Sequence, residues 1–263
     1  MLTPRFHCPQ ATPGLARGTR VELPPDASHH ALRVLRLREG QPVAVFSGHG
    51  GEYEAIIESG RGKSAQLLLG TFHAADRAPR VGVHVQQSVV ATEKMDWVVE
   101  KVVELGARRF TPVLAERSVV RLSGERAAKR AAHWQALAVA ASEQCGLNRL
   151  LEVRPVIALD VACAGPHDDG ALLCMLDPEG ERSLTDELQD AFEGPLAEAG
   201  RSLVLLVGPE GGFSPAEAAL ARAAGYRPVT LGPRVLRTET AALAALAALR
   251  ATVDDFSALS PTP

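Results

Sequence analysis

The chain has 263 residues, of which 46% are hydrophobic and 22% are charged. At roughly 150 residues per domain, this length predicts one large domain or two unequal ones, and the composition excludes disordered, collagen-like and membrane proteins. The longest apolar stretch, Ala241–Leu249, is far shorter than the roughly 18 residues of a membrane span. Because Met1–Arg5 also lacks the apolar core of a signal peptide, we expect a cytoplasmic protein.

The pattern of cysteines and histidines predicts no metal site. Four cysteines are scattered without a CxxC pair, which argues against a zinc ribbon, a thioredoxin-like motif and a disulfide framework. The eight histidines show no HExxH spacing. We therefore expect His29 and His30 to mark a helix start or a surface feature.

The net charge of −3 hides an uneven distribution along the chain. Residues 1–72 carry +2, residues 73–107 carry −1, residues 108–154 carry +5 and residues 155–263 carry −9. A positive N-terminal half is typical of a surface that binds phosphate groups. Arginine outnumbers lysine 24 to 4, however, so genome composition is an equally good explanation of the charge.

Residues 1–72 predict a small β-rich domain. Short strand-like runs at Val43–Phe46, Tyr53–Ile57 and Ala65–Leu69 are separated by turn clusters at residues 47–51 and 59–63. Such spacing is typical of a meander or a small barrel.

One helix is predicted within this first domain. Ser28 can cap it, Leu32 and Leu35 recur at helical spacing, and Gly40 ends it. The basic side chains of the same segment project away from this apolar face; they are Arg33, Arg36 and Arg38.

A linker is expected at Ala74–Pro79, where charge, alanine and proline occur without periodicity. From residue 79 to residue 263 strands and helices alternate, which predicts an α/β domain with a mostly parallel sheet. The tail Ser257–Pro263 is expected to be frayed. The predicted strands are Val81–Val90, Phe110–Leu114, Val153–Ile157, Ala171–Leu176, Leu203–Val207 and Val229–Leu231, and the clearest helices are Glu93–Leu105 and Ser123–Cys145.

The most informative loop follows the apolar strand Leu203–Val207 and reads Gly-Pro-Glu-Gly-Gly-Phe. Ser214 and Glu217 form a capping box for the next helix, with Pro215 at its first position. The glycines therefore lie at the carboxyl end of a strand, where open α/β sheets bind ligands and where glycine lets the backbone approach them. The spacing is neither GxGxxG nor GK[ST], which disfavours a nicotinamide or nucleotide enzyme.

A second loop, Leu231–Thr240, leads into the run Ala241–Leu249. Alanine and leucine are strong helix formers, and either Thr238 or Thr240 is expected to cap this helix. A helix with almost no polar face must be buried on nearly every side, in the core or in an oligomer contact.

Three charged residues lie between the Gly-Pro turn of this loop and the apolar helix. Buried charge must be paired or used, so we expect Arg237 and Glu239 to be functional. For Arg234 a structural ion pair is an equal alternative.

A third polar cluster, Glu143–Arg149, ends the long helix. Gly146 is a natural helix terminator, so these residues can be capping and nothing more.

Together these clusters resemble the bacterial 16S ribosomal RNA uracil-N3 methyltransferases, a family of the knotted SPOUT class, over nearly the whole chain. The family pattern differs at Leu147 and Leu151, where members commonly have an arginine and a proline, so an RNA role for this loop depends on Asn148 and Arg149. The motifs that carry the resemblance are His30–Leu37 with Gly40, Glu93–Asp96, Glu100–Gly106, Thr111–Pro112, Glu116–Arg117, His133–Trp134, Glu143–Gly146 with Asn148–Arg149, Gly208–Gly212 and Leu231–Ala241.

The resemblance implies a PUA-like RNA-binding β-barrel over residues 1–72 and a trefoil-knotted SPOUT methyltransferase domain over residues 79–263. It also implies a homodimer, with S-adenosylmethionine held by three loops near the subunit contact. The residues that match these loops are Leu176, Val207, Gly208, Glu210, Gly211, Gly212, Leu231, Gly232, Val235, Leu236, Arg237, Thr240 and Ala241.

The implied reaction is methylation of the N3 atom of a uridine in the 16S RNA of the small ribosomal subunit. N3 must lose its proton before it attacks a methyl group, so Arg237 is the candidate for stabilising the anion. Glu210 and Glu239 are unranked candidates for orienting the cofactor amine or accepting the proton. The expected RNA contacts are Arg33, Arg36, Arg38, Lys94, Arg117, Asn148 and Arg149.

Two alternatives stay open at the level of the sequence. One is a SPOUT enzyme that acts on another RNA nucleotide or on a ribose 2′-hydroxyl. The other is a non-catalytic RNA-binding factor in ribosome assembly, which would not need S-adenosylmethionine.

Overall fold

A computed structural model describes residues 3–59, 64–74, 76–192 and 202–256. The predicted tail 257–263 and most of the predicted turn 59–63 lie outside these residues. The chain forms two compact units, one of Met1–Ala78 with Val139–Leu150 and one of Pro79–Ala138 with Leu151–Pro263. Among the helices described, none is long and apolar enough to cross a lipid bilayer.

The first unit is built on a five-stranded sheet with the order β1-β3-β4-β5-β2. Within the described part of this unit, strands β1 and β3 pair in parallel and the other strand pairs are antiparallel. Alternate residues of the three predicted strands face a common core, as Tyr53, Ala55 and Ile57 do on β4, because side chains alternate across a strand. The strands are β1 Arg5–His7, β2 Arg20–Glu22, β3 Pro42–Phe46, β4 Glu52–Ser59 and β5 Gln66–His73.

The helix of this unit differs from the prediction. It begins at Pro25 as the short helix α1, Pro25–His29, and continues as one π-helical turn, His30–Val34. Ser28 is not its cap: the residue is buried inside α1, where its hydroxyl donates to the Leu23 carbonyl at 2.9 Å and accepts from the Ala65 N–H at 3.1 Å.

The first unit also includes a segment that the sequence assigned to the second domain. Val139–Leu150, which ends helix α3 (Gly124–Cys145), packs with residues 1–78. Hydrogen bonds explain this placement, since the Arg5 guanidinium donates to the Gly146 carbonyl at 3.1 Å and to Asn148 Oδ1 at 2.7 Å. A single domain boundary between residues 72 and 79 cannot account for a later segment that packs in the first unit.

The second unit contains an eight-stranded sheet of parallel pairs, with the order β11-β13-β10-β12-β6-β7-β8 and with β9 also paired to β7. The central strands β6 and β12 are buried along almost their whole length, as expected for a parallel sheet. The strands are β6 Gly82–Ser88, β7 Arg109–Leu114, β8 Glu152–Val153, β9 Ile157–Ala158, β10 Leu172–Leu176, β11 Arg182–Ser183, β12 Ser202–Val207 and β13 Arg227–Thr230.

The predicted strand Val153–Ile157 is wrong, because it divides into β8 and β9 on either side of Pro155. Proline lacks the N–H that a continuous strand would donate here.

The helices of this unit connect the strands, and α7 packs against α2, α5 and β12. A buried arginine ties α7 to the start of the sheet: Arg250 donates to the carbonyls of Val81, Leu105 and Gly106 and pairs with Asp255 at 3.0 Å. The helices are α2 Thr92–Glu104, α3 Gly124–Cys145, α4 Leu159–Ala164, α5 Leu184–Phe192, α6 Pro215–Ala223 and α7 Thr238–Thr252.

Candidate functional site

A cavity of the second unit lies at the carboxyl ends of three neighbouring parallel strands. β13, β10 and β12 are adjacent in the sheet, and the loops that follow them line a cavity of about 800 Å³. This is the edge of an α/β sheet where ligands are expected. The cavity therefore brings together loops that are far apart in the sequence.

The glycine-rich loop after β12 forms one wall of this cavity. The predicted capping box is present, with the Ser214 hydroxyl accepting from Glu217 N–H and the Glu217 carboxylate accepting from Ser214 N–H, and it fixes the start of α6. Gly212 has a φ of +66°, which favours glycine. A Cβ at Gly211 would lie 3.4 Å from the Arg117 side chain, so the loop passes close to that arginine.

The loop after β10 forms a second wall of the cavity. Leu176, at the end of β10, is the one residue of this wall that was predicted to contact the cofactor. Asp177, Pro178 and Glu179 also line the cavity. The loop is pressed against β13, because a Cβ at Gly180 would lie 2.8 Å from the Val229 backbone. A carboxylate directly after the apolar run 171–176 is the signal that could have identified Asp177.

The third wall of the cavity is the loop before α7. The prediction that Thr238 or Thr240 caps this helix is wrong. Arg237 is the N-cap residue and makes no side-chain capping bond, while Thr238 is already the first residue of the helix. The buried Thr238 hydroxyl instead donates to the Gly208 carbonyl at 2.5 Å and accepts from Gln87 Nε2 at 2.9 Å. Thr238 thus joins the α7 loop to the glycine-rich loop.

A cluster of three charges lies beside the cavity. Lys94 Nζ is 3.0 Å from Glu210 Oε1 and 3.5 Å from Glu239 Oε1. The hydrogen bond to Glu210 is the main cause that raises the pKa of Lys94. Glu239 Oε2 is buried without a hydrogen-bond partner in the described part of the chain. The cluster therefore links helix α2 to both the glycine-rich loop and the start of α7.

The cavity wall includes every predicted cofactor residue except Gly232 and Thr240. It includes Arg234 and Arg237 but not Glu239. Among the described residues, neither arginine has a carboxylate within salt-bridge distance, so the ion pair considered for Arg234 does not form.

The residues predicted to contact RNA fall into three different settings. Lys94 and Arg117 line the cavity, and Arg117 donates to the Gly211 carbonyl at 2.8 Å. Arg149 is exposed but paired with Asp76 at 2.5 Å. Asn148 is fully buried and its Oδ1 accepts from Arg5 and Arg77, so its side chain ties residues 143–149 to the rest of the first unit, and its RNA contact stays a prediction.

Leu147, one of the two departures from the resembled family, is also buried. The remaining predicted contacts, which are exposed on the first unit, are Arg33, Arg36 and Arg38.

Comparison with known proteins matches both parts of the chain. An RNA methyltransferase domain model matches residues 77–250, and an RNA methyltransferase PUA domain model matches residues 23–69. The first of these models spans more than half of the chain.

Relatives of known name and structure agree with these models. The ribosomal RNA small subunit methyltransferase E of Bacillus subtilis is 32% identical over 225 residues, which cover 84% of this chain and 86% of that protein. The crystal structure of the enzyme of this name from Neisseria gonorrhoeae, bound to S-adenosyl methionine, is 32% identical with a TM-score of 0.82 and covers 95% of this chain and 98% of that one.

A putative methyltransferase from Legionella pneumophila, in complex with the same cofactor, is 33% identical with a TM-score of 0.84 over 95% of this chain and 98% of that one. With its cavity at the ends of three parallel strands and these relatives over most of its length, the chain belongs to the ribosomal RNA small subunit methyltransferase E family.

Proposed function

We propose that the protein transfers a methyl group from S-adenosylmethionine to the N3 atom of a uridine in the 16S RNA of the small ribosomal subunit. The observation that carries this proposal is the cavity formed by the glycine-rich loop, the Asp177 loop and the Arg237 loop. Relatives that share 32–33% of their residues with this chain bind that cofactor in crystals.

The cavity fits S-adenosylmethionine in size and in chemistry. Its volume of about 800 Å³ lies within the range of small-molecule sites. Apolar side chains such as Val207, Leu231 and Leu236 can cover an adenine, and the carboxylates of Asp177 and Glu210 can accept from ribose hydroxyls or an ammonium group. When bound, the cofactor supplies an electrophilic methyl group.

The chain must then stabilise a uracil that has lost its N3 proton. Arg237 is suited to this task, because it lines the cavity, is exposed and has no carboxylate partner among the described residues. Its planar guanidinium can donate two hydrogen bonds to a carbonyl oxygen on which negative charge develops.

The two glutamates can now be ranked. Glu210 lies in the cavity wall with a side chain that is 38% exposed, so it can orient the cofactor amine or accept a proton. Glu239 lies outside the wall and contacts Lys94 through Oε1. We therefore assign Glu210 to ligand contact and Glu239 to the positioning of Lys94.

We also propose that the first unit binds the RNA and that two copies of the chain form a dimer. The exposed Arg33, Arg36 and Arg38 support the RNA role. The half-buried stripe Leu243, Ala244, Ala247 and Ala248 on α7 supports a subunit contact. A ribosomal RNA substrate implies that the protein acts in the cytoplasm, and the trefoil knot stays a prediction.

Mass mapping of ribosomal RNA from a deletion strain tests the proposal. We expect one uridine of the 16S RNA to lose a base methyl group, and the gene to restore it. Loss of a ribose methyl group, or of a methyl group on another base, would favour a different RNA target. Unchanged RNA from the strain, together with no calorimetric binding of S-adenosylmethionine by the protein, would favour a non-catalytic assembly factor.

A further inference from the structure

Two adjacent apolar side chains of the first unit lie exposed on one turn. Val34 is 60% exposed and Leu35 is 43% exposed. The neighbouring Ala31, Leu32 and Leu37 pack into the core of the unit and anchor the same turn. Single exposed apolar residues are normal on protein surfaces, whereas contiguous apolar patches rimmed by polar residues mark interaction sites.

The backbone of this turn is unusual in a second way. The π-helical turn His30–Val34 is followed by Arg36, whose φ is +54°. Residues other than glycine, asparagine and aspartate rarely adopt this left-handed backbone conformation. Backbone bonds hold it there, since Leu35 N–H donates to the His30 carbonyl and Leu37 N–H to the Ala31 carbonyl, both at 2.9 Å. π-Turns and strained residues of this kind cluster at functional sites.

The charges on this turn indicate the class of partner. Arg33, Arg36 and Arg38 are exposed, and none has a carboxylate partner among the described residues. Arg20 of the same unit, by contrast, donates two hydrogen bonds to Glu58. Three free guanidinium groups around an apolar pair are complementary to a polyanion that also presents apolar faces.

We infer that the turn His30–Arg38 binds RNA with unpaired bases, with Val34 and Leu35 packing against the exposed base faces and the three arginines holding the phosphates. This inference deepens the proposed function and rests on it. The faces of bases are stacked away inside a duplex and are available only where bases are unpaired. An apolar pair therefore selects single-stranded or loop RNA over helical RNA.

Binding of the full-length protein to two RNA probes of equal length and charge tests the inference. One probe is an unstructured single strand and the other a fully paired hairpin, each measured between 50 and 200 mM salt. The test variant is Val34→Ser/Leu35→Ser. The matched control is Ile56→Ser on β4, which removes an apolar side chain that is 40% exposed elsewhere on the same unit.

We expect the double variant to bind the single strand about tenfold more weakly, because burial of apolar surface is lost, while the salt dependence stays unchanged. Binding to the hairpin and binding by Ile56→Ser should match the unmutated protein. Arg33→Ala/Arg36→Gly/Arg38→Ala should instead lower the slope of log affinity against log salt by about 2, since three phosphate contacts are lost. Glycine is chosen at position 36 because it tolerates a positive φ.

Three results would overturn the inference: single-strand binding of the double variant equal to that of Ile56→Ser, equal losses on both probes, or a reduced salt slope in the double variant. If the double variant unfolds at a lower temperature, the two single serine variants are measured, and about a threefold loss is expected for each. An unchanged single-strand affinity in both would refute the inference. Calorimetry with S-adenosylmethionine on the same samples reports separately on the proposed function, since the variants leave the cavity intact.

Discussion

Thr238→Val is expected to remove the hydrogen bonds that join two loops of the candidate cofactor cavity, while the packing around residue 238 stays the same. Valine has nearly the volume of threonine, so the substitution removes the hydroxyl and leaves the packing in place. The hydroxyl joins three elements, because it donates to the Gly208 carbonyl after β12 and accepts from Gln87 at the end of β6. The variant therefore cuts the link between the glycine-rich loop and the start of α7.

The size of the effect follows from the groups left without partners. An orphaned buried polar group costs about 1–3 kcal/mol. The Gly208 carbonyl loses its partner but is only half-buried, so water replaces part of the bond, while Gln87 Nε2 keeps its bond to the Ser88 carbonyl at 3.1 Å. Together the two losses should total about 2 kcal/mol, which lowers the melting temperature of a unit of this size by about 4–8 °C.

Isothermal titration calorimetry and thermal unfolding measure the two consequences. Affinity for S-adenosylmethionine should fall about tenfold, which corresponds to about 1.4 kcal/mol of the lost coupling between the loops. Thr185→Val is the matched control, since Thr185 is exposed on α5 of the same unit and lies outside the cavity wall. Equal stability and equal affinity in the two variants would refute the role assigned to the Thr238 hydroxyl.

Three further predictions concern the cavity and the sheet beneath it. Gly211→Val should abolish calorimetric binding of S-adenosylmethionine in a folded protein, because the new side chain meets Arg117 and fills the space beside the loop; unchanged affinity would contradict this. Arg237→Lys should lower single-turnover methylation of the small subunit while cofactor affinity stays within a few-fold, whereas wild-type turnover would remove Arg237 from the mechanism. Burial lowers the pKa of His84 to about 3, so the folded protein keeps it neutral where the unfolded chain binds a proton, and stability should fall as pH drops from about 6.5 towards 3. Urea unfolding of His84→Gln across this range should show a shallower fall, and an unchanged pH profile would contradict the assignment.

Sequence periodicity identified most of the longer strands and helices but not their arrangement. The apolar run Leu203–Val207 could be identified as a buried strand because every residue of it is apolar. Nothing in that run specifies that β12 lies between β10 and β6, since strand order depends on pairing between distant segments. The convergence of three loops on one cavity was therefore expected from the family resemblance and not from the residues themselves.

Two predicted helix caps were wrong for a related reason. Ser28 and Thr238 satisfy the local rule for capping residues, yet both hydroxyls bond to groups outside their own helix, and each has at least one partner that is distant in the sequence. Ser214 obeyed the rule, because its partner Glu217 lies only three residues away and proline fixes the helix start beside it. Local capping signals are thus reliable where both partners are local.

The net charge of a segment does not show which of its charged side chains form ion pairs in the folded protein. Residues 108–154 carry +5, yet Arg109 and Arg154 both pair with Glu152, and Arg149 pairs with Asp76. Among the described residues, the arginines without a carboxylate partner lie partly in this segment, as Arg117 in the cavity wall does, and partly outside it, at Arg36 on the turn and at Arg237 in the cavity wall. A phosphate or an anionic base is bound by a cation whose charge is not already neutralised by a neighbouring carboxylate. The useful quantity is therefore the number of unpaired arginines on a surface, which depends on the fold and cannot be read from net charge.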